Sequence, residues 1–260
     1  MDTQIYHSCI SILAEELVPA MGCTEPIAVA YAAALARDTL GNIPEETEVA
    51  VSDSILKNVK SVIVPNTGGM RGVAAAVAAG FAAGKAERKL EVISEVSETE
   101  RHAIAQFLKT QTIRVMKSDT GCVFDIGMHV KKGEDTAYVR ISGHHTNVVH
   151  IEKNGQVLFD KQTAQEEQGA NAALKAEISV RQIVEFADTV DLADVEELLS
   201  RQIEYNTAIA QEGLKNDYGA RVGKILLQAF GGDVHNLAKA TAAAGSDARM
   251  NGCELPVVIV

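Results

Sequence analysis

Apolar and polar positions along this chain follow two periods, one helical and one of strands. Ile5, Cys9, Ile12, Leu13 and Leu17 recur at helical spacing, which predicts an opening helix over residues 1–17. Thr24-Glu25-Pro26 has the make-up of a second helix start: Thr24 as cap, Glu25 at the positive end of the dipole, Pro26 in the first turn. Its helix is expected over residues 27–39, ending before Gly41. Residues 47–52 alternate as a strand and 59–65 as another. Asp53-Ser54, between them, is a pair common at strand ends. Asn66-Thr67-Gly68-Gly69 predicts a turn and residues 71–88 a helix of small side chains. A strand, a helix and a strand are expected at 90–96, 98–109 and 112–116.

From Cys122 to Asp160 period two dominates. Residues 147–152 and 156–159 flank Asn154-Gly155, the dipeptide preferred in tight hairpins. Residues 161–173 are polar and predict a linker. Helical spacing returns over 179–186, 195–212, 221–230 and 234–250. The pattern predicts an α+β fold, with a mixed α/β amino-terminal region carrying a β-hairpin and an all-helical region after it. The boundaries expected are an α+β domain over residues 1–165 and a helical domain over 166–260. The chain closes on Leu255-Pro256-Val257-Val258-Ile259-Val260, an apolar run that needs burial. It predicts a strand or helix start belonging to a longer protein, so the helical domain is expected to be truncated.

Composition narrows the function classes. With 47% hydrophobic residues, 4% aromatic and no Trp, the core must be built from Ala, Val, Ile and Leu, which favours close helix packing. A formal net charge of −11 repels nucleic acid and anionic lipid, so neither is expected as a partner. Residues 1–12 lack a basic signal-peptide region, and the longest apolar run, residues 73–83, is too short to span a bilayer. A cytoplasmic location is expected. The four cysteines form no C-x-x-C pair, and a disulfide framework is not expected. Cys9 and Cys122 are expected to be small buried hydrophobes. Ala-rich helices and the apolar tail would both favour association as a homodimer.

Candidate chemistry sits at helix mouths and loops. Cys23 precedes a helix start, where free N–H groups and the dipole favour a thiolate able to act as nucleophile, base or metal ligand. Glu25 and Thr24 share that mouth. The plainer alternative is a capping sequence with a packed cysteine. Asn66-Thr67-Gly68-Gly69-Met70-Arg71-Gly72 opens a helix, and its N–H groups and Arg71 could hold a carboxylate. It is no phosphate-binding loop, and a simple turn is the alternative. Ser142-Gly143-His144-His145-Thr146-Asn147 joins two predicted strands. Adjacent histidines on a strand face opposite ways, so they form no metal pair, but one could move a proton. Solvated turn residues are the alternative. In Gly245-Ser246-Asp247-Ala248-Arg249-Met250, Arg249 could clamp a carboxylate, while a helix cap explains the small residues equally well.

Met21-Gly22-Cys23-Thr24-Glu25-Pro26, Pro65-Asn66-Thr67-Gly68-Gly69-Met70-Arg71-Gly72, His145-Thr146-Asn147 and Gly245 to Met250, in this order, resemble the L-cysteine desulfidase family. That family was long catalogued as uncharacterised family 0597 and is related to the iron–sulfur L-serine dehydratase alpha chain. The resemblance covers essentially the whole chain and implies a lyase that works without pyridoxal phosphate. It would convert L-cysteine to pyruvate, ammonia and sulfide, with L-serine as the alternative substrate. It further implies a [4Fe-4S] cluster on three cysteines, the first being Cys23. The other two ligands belong to a carboxy-terminal part of the family that this sequence does not contain, and the role does not carry onto Cys253. The cluster is therefore not expected on this chain by itself. His145 and Glu25 are the expected proton-transfer groups, and Thr24, Asn66, Thr67, Arg71, Asn147 and Arg249 the expected substrate-holding ones. A fragment that binds an amino acid without catalysis is the competing class.

Overall fold

The computed structural model describes residues 1–161 and 172–259. Most of the predicted linker, residues 162–171, lies outside the described residues. The fold is α+β. Helix α1 (Thr3–Glu16) and strand β1 (Val18–Met21) lead into α2 (Thr24–Leu40), β2 (Glu46–Val51) and α3 (Asp53–Val59). Helices α4 (Val73–Ala83) and α5 (Glu98–Thr110) follow, then strands β3 (Ile113–Lys117), β4 (Asp125–Lys132), β5 (Asp135–Ser142), β6 (Val148–Lys153) and β7 (Gln156–Asp160). The rest is helical, with α6 (Ala172–Glu177), α7 (Val180–Thr189), α8 (Glu196–Lys215), α9 (Val222–Phe230) and α10 (Val234–Met250), closed by β8 (Pro256–Ile259). Among the described residues no helix is long and apolar enough to cross a membrane.

The larger sheet runs β3-β2-β4-β5-β6-β7; β2 and β3 pair in parallel and the remaining neighbours are antiparallel. The Asn154-Gly155 turn joins β6 to β7 with both residues at positive φ, 51° and 77°, as the sequence predicts. Period two explains the buried face: Val49, Val51, Ile126, Met128, Val130, Val139 and Ile141 are sealed in one core with α2 and α4. Helix α2 is buried over most of its surface, with Asp38 near its end exposed, as expected of a helix without a polar stripe. Its closeness to α4 depends on Gly80, where an added Cβ would stand 2.2 Å from the Ala30 carbonyl oxygen.

Two expected strands are absent. Residues 59–65 start in the last residue of α3 and continue as a loop with one isolated bridge, Ile63 to Arg71. Residues 90–96 begin inside a 3-10 segment, Ala86–Glu91, and go on as turns. Asp53-Ser54 opens α3 instead of closing a strand. The small-residue helix is shorter than predicted because Gly84 turns extended, φ −66° and ψ 133°. Arg37 of α2 then caps its end, donating to the carbonyls of Gly80, Phe81 and Gly84. The terminal apolar run is strand β8, antiparallel to β1 with Met21 opposite Pro256, so the second region is not all-helical.

Candidate functional site

The loop between β1 and α2 carries the first candidate segment. Gly22, at φ 67°, lets the chain pass so close to Pro65 that an added Cβ would lie 2.8 Å from Pro65 Cγ and 3.5 Å from the Arg249 carbonyl oxygen. Three separate stretches of sequence therefore converge at residue 22. The helix cap is Cys23, not Thr24: Cys23 is extended (φ −76°, ψ 128°), makes no side-chain cap bond, and Thr24 is already helical.

Cys23 is 2% exposed and its Sγ donates to Glu25 Oε2 at 2.9 Å. Asn58 Nδ2, from α3, donates to Glu25 Oε1 at 3.0 Å, and Thr24 Oγ1 lies 3.5 Å from Oε2. The expected thiolate is not favoured. Burial first, then the hydrogen bond to Glu25 and its negative charge, push the thiol up to about 12; a backbone N–H and the Arg249 charge pull the other way. Burial opposes the charge of Glu25, but hydrogen bonds from Cys23, its own backbone and Asn58, together with His145, hold its carboxyl below the usual value.

The histidine turn meets this cluster. His145 lies half-buried against the Phe124 ring, centroids 4.6 Å apart, whereas His144 is exposed. Burial lowers the His145 imidazole below its ordinary value, against the pull of Glu25 and with that of His144. Glu25 and His145 thus interact electrostatically at the mouth of α2, the imidazole helping to hold the carboxyl down and the carboxylate opposing the effect of burial on the imidazole. From the far side Arg249, in the last turn of α10, interacts electrostatically with Cys23; its Nε is buried and meets no acceptor among the described residues.

The remaining expected residues serve their own loops. Asn66, at φ 60°, is buried and gives Nδ2 to the carbonyls of Ile93 and Ser94 at 2.8 and 3.2 Å. Thr67 Oγ1 donates to the Val64 carbonyl and accepts from the Met70 N–H. Exposed Arg71 bonds the Ser61 carbonyl. Asn147 Nδ2 donates to the Ser142 carbonyl at 2.7 Å, and Lys161 donates to its Oδ1 at 2.6 Å. In the fourth segment Asp247 Oδ2 accepts from the Gly223 N–H and so fixes the start of α9.

A serine dehydratase alpha chain family model matches residues 87–260. The chain belongs to that family. Among similar proteins are the UPF0597 protein of Desulfitobacterium hafniense, 50% identical over 255 residues, and that of Lachnoclostridium phytofermentans, 46% identical over 255. Each match covers 98% of this chain, and 59% and 61% of those proteins respectively. The UPF0597 protein of Treponema denticola is 39% identical over 263 residues, covering 99% of this chain and 61% of its own. The chain spans about three-fifths of the length of these curated relatives. No solved structure matches it. The family match takes in His145 and Arg249 but starts after Cys23 to Glu25, which the longer matches reach.

Two members of the cluster escape sequence reasoning. Asn58 lies just before the expected strand 59–65 and belongs to no motif; only the helical turn of α3 carries it to Glu25. Phe124 has no motif and matters through the ring it lends His145. A three-cysteine cluster does not fit the described residues by themselves. No group of three His, Cys, Asp or Glu among them could hold a metal. Cys9 packs with Phe186 and Val195, Cys253 packs with Ile209 and Val257, and Arg140 lies 3.9 Å from the Cys122 sulfur.

Proposed function

We propose that this chain carries the proton-handling part of an amino-acid lyase acting by β-elimination. L-Cysteine is the substrate proposed, giving pyruvate, ammonia and sulfide; L-serine, losing water, is the alternative. The observation that carries the proposal is the cluster at the mouth of α2, where Cys23 and Asn58 donate to the Glu25 carboxylate and half-buried His145 interacts with its charge. His145 takes the α-proton, the Cα–H electron pair forms the Cα–Cβ double bond, and the Cβ–S bond breaks to release hydrosulfide. The aminoacrylate becomes an imine, and water hydrolyses it to pyruvate and ammonia. Glu25 stabilises the imidazolium electrostatically once His145 is protonated. Thr24 and Arg249 are proposed to hold the substrate, while Asn66, Thr67, Arg71 and Asn147 shape the loops around it.

Cys23 is proposed as the one sulfur this chain contributes to the iron–sulfur cluster that the resemblance implies. The further ligands would come from outside the described residues. The test is pyruvate and sulfide release by anaerobically purified protein. His145→Gln and Glu25→Gln should each lower kcat by about 10²- to 10⁴-fold while amino-acid binding persists; unchanged turnover in His145→Gln would overturn the assignment. A second reading, a binding module without chemistry, rests on the lack of a metal-ligand set among the described residues. It requires L-cysteine to raise the melting temperature with no pyruvate formed.

A further inference from the structure

A cavity of about 200 Å³ opens between α8 and α10, bounded by Asn206, Thr241, Gly245, Ser246, Arg249 and Val258 among others. It is smaller than the pockets that take drug-sized ligands. Its floor is apolar or committed: both polar atoms of the Asn206 side chain are spent on Val258, donating to its carbonyl at 3.0 Å and accepting its N–H at 2.9 Å. Arg249 is the charged residue of the wall, and its buried Nε has no acceptor among the described residues. Such a donor costs free energy unless something fills the space and accepts from it. A planar guanidinium suits a carboxylate best, because two parallel N–H bonds match its two oxygens. The neighbouring hydroxyls of Thr241 and Ser246 supply further donors and acceptors.

We infer that the cleft between α8 and α10 is a carboxylate-binding subsite that seats a small amino acid on Arg249. Naming the ligand as the lyase substrate rests on the proposed function; the carboxylate chemistry does not.

Calorimetry on the full chain with L-serine, pyruvate and ethanolamine tests this. L-Serine and pyruvate should bind, and ethanolamine, which lacks the carboxylate, should bind at least tenfold more weakly. Arg249→Gln should weaken L-serine at least tenfold. Ser246→Glu places a carboxylate three residues before Arg249 on the same helix face, and it should abolish binding while leaving the melting temperature unchanged or raised. Equal binding of ethanolamine, or unaltered L-serine binding in both variants, overturns the inference. Carboxylate-dependent binding that both variants destroy sustains the cleft whether or not turnover is seen; turnover with binding indifferent to both variants removes the cleft and leaves the lyase.

Discussion

At the scale of the residue, the decisive feature is one carboxylate with unequal neighbours. Glu25 stays ionised against burial because a thiol, an amide and an imidazole face it. Removing the amide by Asn58→Ala takes away one bond to the charged form, so the Glu25 pKa should rise, visible in a carbon NMR titration of its carboxyl. The lost charged hydrogen bond should cost about 1–2 kcal/mol at neutral pH. The sign follows from linkage: with the folded pKa below the ordinary 4.5, stability from ionised Glu25 is present above that value and disappears as pH falls through the folded one. His145 titrates higher in pH with the same sense. Its folded pKa lies below 6.5, so the unfolded chain binds the proton more readily and stability drains away as pH falls below 6.5. Denaturant midpoints measured from pH 7 downward should therefore fall more steeply in the wild type than in His145→Gln.

At the scale of the element, small residues decide which helices can touch. Alanine normally stabilises an exposed helix over glycine by roughly 1 kcal/mol, but Gly80→Ala would drive a methyl into the Ala30 carbonyl at 2.2 Å. Overpacking of about 1–3 kcal/mol should win, and thermal melting of that variant should move downward. Gly213 repeats the arrangement between α8 and α10, where a Cβ would meet the Ala244 carbonyl at 2.0 Å. This close approach was legible in the Ala-rich composition, and the helices themselves in their spacing. The failures have local causes. Residues 59–65 are β-branched and alternate, yet Ile55 and Val59 are buried on one face of α3, and the rest find a single bridge in place of a ladder. Residues 90–96 are apolar enough for a strand, but Asn66 takes the carbonyls of Ile93 and Ser94 that a strand partner would need. Of the candidate site, the Cys23-Thr24-Glu25 stretch could be picked out from its chemistry, whereas His145 was separated from His144 only through the family resemblance. Asn58 could not, because its role depends on α3, an element the local pattern hides. The raised thiol pKa was illegible for a related reason: the dipole is visible in sequence, while burial and the fold of the Glu25 side chain back onto Sγ are not.

At the scale of the molecule, strands far apart in sequence, β1 and β8, pair next to the candidate site. The β1–β8 pair ends at Met21 opposite Pro256, two residues before Cys23. Arg101 reaches Glu254 at 3.8 Å, and the Ile63 N–H points at the Met250 carbonyl at 3.5 Å. Far from that seam, α1 is tied to the helical region by Tyr6 Oη, which donates to Asp194 at 2.6 Å, and by packing of Cys9 on Phe186. The position of Arg249 relative to Cys23 is thus set by a short two-stranded pair, and that pair is anchored to α8 by Asn206. Asn206 stands in for a third strand, since its amide satisfies both the N–H and the carbonyl of Val258. Removing that amide by Asn206→Ala leaves two backbone groups without partners, each costing about 1–3 kcal/mol where water cannot replace the bond. The variant should therefore speed amide exchange at Val257 and Val258 well before it affects the β2–β4 core. It should also weaken L-serine binding without touching Arg249. Leaving exchange at Val258 unchanged would show that the β1 pairing alone holds the strand, and Asn206 would then be a cavity wall and nothing more.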